Sequence, residues 1–161
     1  MRQRMHFKFL FWVLFISFIL PLHLRAEEKT GLSDGQTLYI SAYSHIYIGN
    51  VERPFQLAIT LSIRNIDPNH QITITVVDYY ETQGKRIKKL IEKQVKLNPL
   101  ESLRYVIPEK DKSGGSGANF IVEWKSDNSI NPPIVESIMI GTRNQQGISF
   151  TSRGRPVIPT K

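Results

Sequence analysis

Short runs of alternating apolar and polar residues, separated by turn-forming residues, are the feature that most constrains this fold. The clearest run spans 55–64, where apolar residues occupy every second position: Leu57, Ile59, Leu61 and Ile63. Successive side chains of a β-strand point to opposite faces, so this spacing predicts a strand with one buried face. Residues 71–81 predict a second strand, with Ile72, Ile74 and Val76 on one face and Val77 and Tyr79 on the other.

Turn-forming residues separate these runs from others of the same kind. Pro68 lies in one predicted turn, and Gly84 gives the turn at 82–85 a residue that adopts positive φ freely. Residues 86–97 predict an exposed edge strand, whose lysines would discourage pairing with other chains. Further predicted strands cover 37–40, 43–48, 103–107, 119–125, 134–142 and 147–150.

This arrangement predicts an all-β protein with about seven to nine strands. Short strands with regular turn signals are typical of antiparallel sandwiches and barrels. We expect an immunoglobulin-like or fibronectin-like antiparallel β-sandwich. By analogy with that class, Trp124 would lie between the sheets and Tyr105 would be a corner tyrosine.

The first 26 residues have the layout of a secretory signal peptide. Arg2, Arg4 and Lys8 precede an apolar run over 9–20, and Ala26 suits the position before a cleavage site. The run is shorter than the roughly 20 apolar residues of a membrane-spanning helix. We therefore expect cleavage after Ala26 and export to the periplasm or beyond, with retention as a membrane anchor as the alternative.

These features divide the chain into four parts. We expect a signal peptide over 1–26, a flexible lead-in over 27–35, a single β-sandwich domain over 36–151 and a loose tail over 152–161. The third part has the length of an ordinary single domain, which is enough to bury a hydrophobic core.

Charge and cysteine content exclude several functions. Four of the 21 basic residues and none of the 14 acidic residues lie in 1–26, so the leader carries more than half of the net charge of +7. The basic charge is therefore poor support for nucleic-acid binding, and we expect none. The absence of cysteine excludes disulfides, thiol catalysis and iron–sulfur clusters.

Several stretches together resemble one known family. They are 38–40 with 42–47, 61–65, 77–80 with 83–85, 114–124 and 138–142. On these residues the chain resembles the bacterial DUF3124 family over 34–154. The resemblance implies an exported bacterial protein without an assigned activity, and it carries no catalytic or ligand residues.

Histidines are the first candidates for metal binding or general-base chemistry. Only His45 and His70 follow the leader, and neither has a second histidine at ligand spacing. A site formed by both with Asp67 or Asp78 is the metal hypothesis. The alternative, which we favour, is that His70 is an exposed turn residue and His45 an ordinary strand residue. We expect no cofactor.

The glycine-rich loop over 109–117 is the candidate binding loop. Such loops can direct backbone N–H groups at an anion, but this one lacks the lysine spacing and the following helix of a nucleotide-binding loop. A flexible connection is the plainer interpretation. In the functional interpretation, ligand or partner contacts come from Lys110, Lys112, Ser113, Gly114, Gly115, Ser116, Gly117 and Asn119, with Glu109 beside them.

Other combinations give weaker hypotheses. Asp78 and Glu81 would point to opposite faces of one strand, so they do not form a carboxylate pair for glycoside hydrolysis. No nucleophile-elbow serine motif is present. An aromatic platform would require one continuous strand carrying Tyr39, Tyr43 and Tyr47.

We therefore predict a non-enzymatic β-sandwich that binds another protein of the cell envelope through edge strands or end loops. A module that binds a small anion, metal or glycan at the glycine-rich loop is the alternative, and an envelope hydrolase is the third hypothesis. We expect membrane contact only through a retained leader, and the sequence leaves the partner and the oligomeric state open.

Overall fold

The computed structural model describes residues 31–49, 52–143 and 145–157. The predicted signal peptide and residues 158–161 lie outside these ranges. The described residues form twelve strands: β1 (Ser33–Ser41), β2 (His45–Ile48), β3 (Arg53–Gln56), β4 (Ala58–Arg64), β5 (Ile72–Tyr80), β6 (Arg86–Lys89), β7 (Val95–Leu97), β8 (Ser102–Ile107), β9 (Asn119–Ile130), β10 (Ile134–Arg143), β11 (Gln146–Arg153) and β12 (Arg155–Pro156). The described residues contain no helix that is long and apolar enough to cross a membrane.

The strands form two main antiparallel sheets and a small hairpin. The six-stranded sheet has the order β12-β1-β9-β5-β6, with β7 pairing beside β6 along β5. The four-stranded sheet has the order β11-β10-β4-β8, and β2 pairs with β3. This confirms the predicted all-β, antiparallel architecture.

The core consists of the inward faces of the two sheets. Ile59, Leu61 and Ile63 of β4 are fully buried, as their spacing predicted. On the facing sheet, the rings of Tyr79 and Phe120 stack with centroids 4.8 Å apart. Trp124 is 2% exposed, which agrees with its predicted position inside the protein.

The alternation predicted for β5 holds only in its first half. The pairing of β5 with β9 shifts register between Ile74 and Val76, which is a β-bulge. An extra residue in a strand reverses which side chains face inward. Val77 and Tyr79 are therefore fully buried, while Val76, which the alternation predicts on the same face as buried Ile72 and Ile74, is only partly buried.

Two predicted strands are interrupted. The run over 55–64 is divided at Leu57, whose N–H donates to the Ser44 carbonyl at 2.9 Å instead of continuing one ladder. Its first part belongs to the hairpin and its second to the four-stranded sheet. The edge strand predicted over 86–97 is divided into β6 and β7, and the connection between them contains buried Ile91.

The predicted lead-in and tail need correction where the structure describes them. Residues 33–35 already belong to β1, in which Ser33 and Gly35 pair with β9 on either side of a register shift. Residues 152–153 continue β11, and β12 pairs with Leu38 and Tyr39 of β1. The Val157 N–H then donates to the Thr37 carbonyl at 2.8 Å, so backbone pairing holds this part of the predicted loose tail.

Candidate functional site

The glycine-rich loop lies at the end of the sandwich where β1, β5 and β8 stop and β9 begins. We call residues 109–118 the glycine loop. Thr82, in the turn after β5, holds the loop from one side. Its N–H and hydroxyl both donate to the Gly114 carbonyl at 3.0 Å, and its Oγ1 accepts from the Gly117 N–H at 3.0 Å.

The segment between β1 and β2 holds the loop from the other side. The Ser44 N–H donates to the Gly115 carbonyl at 2.9 Å, and the Ala42 N–H donates to the Ala118 carbonyl at 2.8 Å. Gly115 has φ of 78°, a left-handed conformation that glycine adopts at little cost. The glycine residues therefore join three segments of the protein through their backbone groups.

Tyr79 explains why the first glycine of the loop, Gly114, has no side chain. A Cβ atom on Gly114 would overlap the Tyr79 hydroxyl oxygen and lie 2.8 Å from the Ala118 Cβ. The Tyr79 hydroxyl lies 3.0 Å from the hydroxyl of Ser44, and both residues are fully buried. Burial raises the pKa of the Tyr79 phenol, so this hydroxyl stays protonated.

The charged part of the loop is held by one ion pair. Lys88 of β6 contacts the Asp111 carboxylate at 2.5 Å. Asp111 also accepts from the backbone N–H and hydroxyl of Ser113, at 3.1 and 2.6 Å. Lys88, then Ser113, lower the pKa of Asp111 to about 2, against the opposing effect of burial. Lys110 and Lys112, on either side, are exposed.

The predicted site residues are thus only partly brought together. Lys110, Lys112 and Ser113 share the exposed part of the loop, whereas Gly114, Gly115 and Gly117 have internal packing or backbone roles. Ser116 is partly buried. Asn119 lies in β9, opposite Ser41 and Tyr80. A ligand role for this set stays a prediction.

The two histidines lie at opposite ends of the sandwich. His70 precedes β5, and its Nδ1 lies 3.0 Å from the Asp67 carboxylate. His45 is next to Ser44, which contacts Tyr79 near the other end of β5. At about 3.3 Å per strand residue, the chain from His70 to Tyr79 spans roughly 30 Å, so the histidines are too far apart to share a metal ion. Within the described ranges, no three His, Cys, Asp or Glu side chains form a group that could hold a metal ion.

Asp78 is buried beside Arg86, with which it forms an ion pair. Its Oδ2 accepts from Arg86 at 3.0 Å, and this contact raises the pKa of the guanidinium.

The three tyrosines of the predicted platform lie on separate segments. Tyr39 belongs to β1 and Tyr47 to β2, and Tyr43 packs against Phe150 with centroids 5.8 Å apart.

Two features of the surface were not predicted from the sequence. The first is the outer face of the four-stranded sheet, where cross-strand register aligns Val106, Thr60, Ile138 and Thr151. Val106 is 57% exposed and Ile140, further along β10, is 50% exposed. The next row contains Arg104, Ser62, Glu136 and Arg153. We call these residues, with Arg64, the outer face.

The second feature is a cavity of about 320 Å³ beside the β2–β3 hairpin. Its lining residues come from β3, from the start of the glycine loop and from the end of β10: Pro54, Phe55, Gln56, Glu109, Thr142 and Arg143. We call it the hairpin cavity. Only the fold brings these three segments together, and no local motif in the sequence indicates it.

Comparisons with known proteins place the chain in a family. A search of curated proteins gives no match. Among solved structures, the crystal structure of Thermotoga maritima 1070 is similar, with 12% sequence identity and a TM-score of 0.45, covering 74% of this chain and 92% of that one. The model of the family described as protein of unknown function (DUF3124) matches residues 35–157, which confirms the resemblance seen in the sequence. The chain therefore belongs to the DUF3124 family.

Proposed function

We propose that this protein is an exported, non-enzymatic module that binds a protein partner in the bacterial cell envelope. The observation that carries this proposal is the free edge of β8. Among the described residues, β8 pairs with β4 on one side only. Its sequence, SLRYVI, contains neither glycine nor proline and is rich in residues that suit strands.

A free edge of this kind can accept a strand from a partner. Edge strands present unpaired N–H and C=O groups, and partners that add a strand gain backbone hydrogen bonds from them. The edges of many proteins are protected by lysine or proline. β6, at the edge of the other sheet, has Arg86, Lys88 and Lys89 in four residues, whereas β8 has only Arg104.

The outer face supplies side-chain contacts next to this edge. Val106, Ile138 and Ile140 form an apolar area, and Arg64 and Arg104 lie beside it. A strand added to β8 would lie beside Val106 and Arg104, the members of these two groups that belong to β8. We therefore expect a partner segment with aliphatic residues facing Val106 and a carboxylate facing Arg104, the one charged residue within β8.

The cellular location and the finer class of fold also belong to this proposal. The leader over 1–26 supports export, and sequencing the exported protein should find Glu27 at its N-terminus. A start at Met1 would contradict cleavage. In both main sheets, strands distant in sequence are neighbours, which supports an immunoglobulin-like or fibronectin-like sandwich. An experimental structure with a different strand connectivity would overturn that assignment.

Photo-crosslinking in living cells tests the proposal. A photoreactive amino acid at Val106 should capture one dominant envelope protein, and the same amino acid at Thr151 should not. Thr151 is a matched control because it is exposed and lies in the same cross-strand row at the opposite edge of the sheet. Equal capture at both positions, or none at Val106, would refute docking at β8.

Two lysine substitutions make the same test with purified components. Val106→Lys should weaken binding of the captured partner by about tenfold or more, since a lysine on an edge strand opposes strand addition. Thr151→Lys should leave the affinity unchanged. Thermal unfolding of both variants confirms that the sandwich is intact.

A further inference from the structure

The hairpin cavity combines a positive and a negative side chain that do not neutralise each other. Arg143 and Glu109 both line it, yet no ion pair joins them in the described part of the chain. We propose that this cavity binds a small zwitterion of amino-acid size, with its carboxylate at Arg143 and its ammonium group at Glu109.

The local fold explains why these two charges face one cavity. β3 passes over β10 at Gly141, where a Cβ atom would lie 2.6 Å from Phe55 Cε1. The missing side chain lets Phe55 and Gln56 approach the end of β10, next to Arg143. Glu109 follows β8 by two residues and forms another part of the wall.

The charges determine the ligand class. A simple anion would be attracted by Arg143 but repelled by Glu109, and a simple cation would meet the reverse. A ligand with both charges gains from both contacts. The guanidinium group presents a planar pair of donors that suits a carboxylate, and a carboxylate accepts hydrogen bonds from an ammonium group.

A second, smaller depression adds positive charge near Arg143, at the end of the cavity where the ligand carboxylate would bind. Its volume is about 150 Å³, and it lies on another side of Phe55 and Arg143. Ile48, Arg53 and Gln146 complete its lining. Arg53 is a second guanidinium near the proposed carboxylate position, so the positive potential is concentrated at this end of the site.

The remaining lining residues suit a small organic ligand. Phe55 and Pro54 provide apolar surface, and Thr142 provides a hydroxyl group. Gln56 Oε1 is buried and has no hydrogen-bond partner among the described residues. An unsatisfied buried acceptor is unusual, and rotation of the Gln56 side chain towards the cavity would let a donor on a bound ligand satisfy it. The cavity volume lies at the lower end of the range of small-molecule sites, about 300–1,000 Å³.

Nuclear magnetic resonance titration of the exported protein tests this site. The probes are glycine, β-alanine and γ-aminobutyrate, which differ in the spacing between their charges. The matched controls for β-alanine are propionate and propylamine, which each keep one charge. At least one zwitterion should shift the amide signals of Phe55, Gln56 and Arg143 in a saturable way, and its controls should bind about tenfold more weakly or worse.

Two charge-neutralising variants locate the contacts. Arg143→Gln and Glu109→Gln should each reduce zwitterion affinity about tenfold, while Lys110→Gln, an exposed neighbour of Glu109, should not change it. Val106→Lys, which tests partner binding at β8, should also leave the zwitterion affinity unchanged. The zwitterion proposal and the proposed function can therefore be refuted independently of each other.

Three results would overturn the proposal. One is the absence of saturable shifts with every zwitterion at millimolar concentration. Another is propionate binding as tightly as β-alanine, which would indicate a simple anion site. The third is unchanged affinity in Glu109→Gln.

Discussion

Gly114 packs directly against the Tyr79 hydroxyl group, with no room for a Cβ atom between them. Tyr79 cannot move aside easily, because it is fully buried and its ring stacks on Phe120. Its hydroxyl is also paired with Ser44. The glycine loop is therefore attached to the core by a contact that depends on the size of one residue.

Gly114→Ala should destabilise the protein by about 1–3 kcal/mol, the usual cost of adding a methyl group to a packed interior. Urea denaturation of the variant measures this directly. Gly147→Ala is the matched control, because the nearest atom to its Cβ would be 4.0 Å away in Thr142. Equal stability of the two variants would show that the glycine loop shifts to accommodate the added methyl group without loss of stability.

Phe120→Ala should be more damaging, with a loss of about 3–5 kcal/mol in the free energy of unfolding. Phe120 is fully buried and stacks on Tyr79 at 4.8 Å, so its removal leaves a cavity and ends an aromatic contact. Val106→Ala, at an exposed strand position, should cost less than about 1 kcal/mol. A small effect of Phe120→Ala in denaturant titrations would mean that the two sheets are not closely packed there.

Stability should fall in acid partly because of Asp67. The Asn69 N–H is the largest cause that lowers the pKa of this carboxyl to about 2, burial opposes it, and His70 and Asn131 add to the lowering. An aspartate in the unfolded chain has a pKa of about 3.9. Since the folded-state pKa is lower, the stabilisation is complete above about pH 4 and is lost as the pH falls towards about 2.

Denaturation of the wild type and Asp67→Asn between about pH 2 and 6 tests this. The variant should be less stable at pH 6 and should lose less stability on acidification. Part of the acid dependence should remain, because the pKa of Asp111 is also lowered to about 2. Parallel curves for the two proteins would contradict the role of Asp67.

Asp111→Asn should loosen the exposed part of the glycine loop with little effect on overall stability. The ion pair with Lys88 and the bonds to Ser113 are lost, and partly exposed pairs contribute at most about 1 kcal/mol. Amide hydrogen exchange at Ser113 should accelerate, while exchange at Thr82 and Gly117 should not. Unchanged exchange at Ser113 would show that the loop is held by other contacts.

Strand positions could be predicted from the sequence because alternation is a local property. Ile59, Leu61 and Ile63 are buried as their spacing required. The bulge after Ile74 was not predictable in this way, because it depends on how β5 is paired with β9. Its effect was to move Val77 and Tyr79 to the buried face.

The candidate site was less predictable because it depends on residues distant in sequence. The glycine cluster was visible, but the partners that explain it, Thr82, Ser44 and Tyr79, are identified only by the fold. Similarly, Glu109 was visible as a polar loop residue. Its position opposite Arg143 follows from the way β3 crosses β10.

The pairing of β12 with β1 has a consequence for how the protein folds. Arg155 and Pro156, near the end of the chain, complete the edge of the first described strand. The central strand β9 likewise has no partner close to it in the sequence, because both of its neighbours in the sheet, β1 and β5, are far away along the chain. Sheets closed by such distant pairings form slowly, in milliseconds to seconds. Because so many of its strand pairs join distant segments, we expect the described domain to fold more slowly than a helical bundle of similar size.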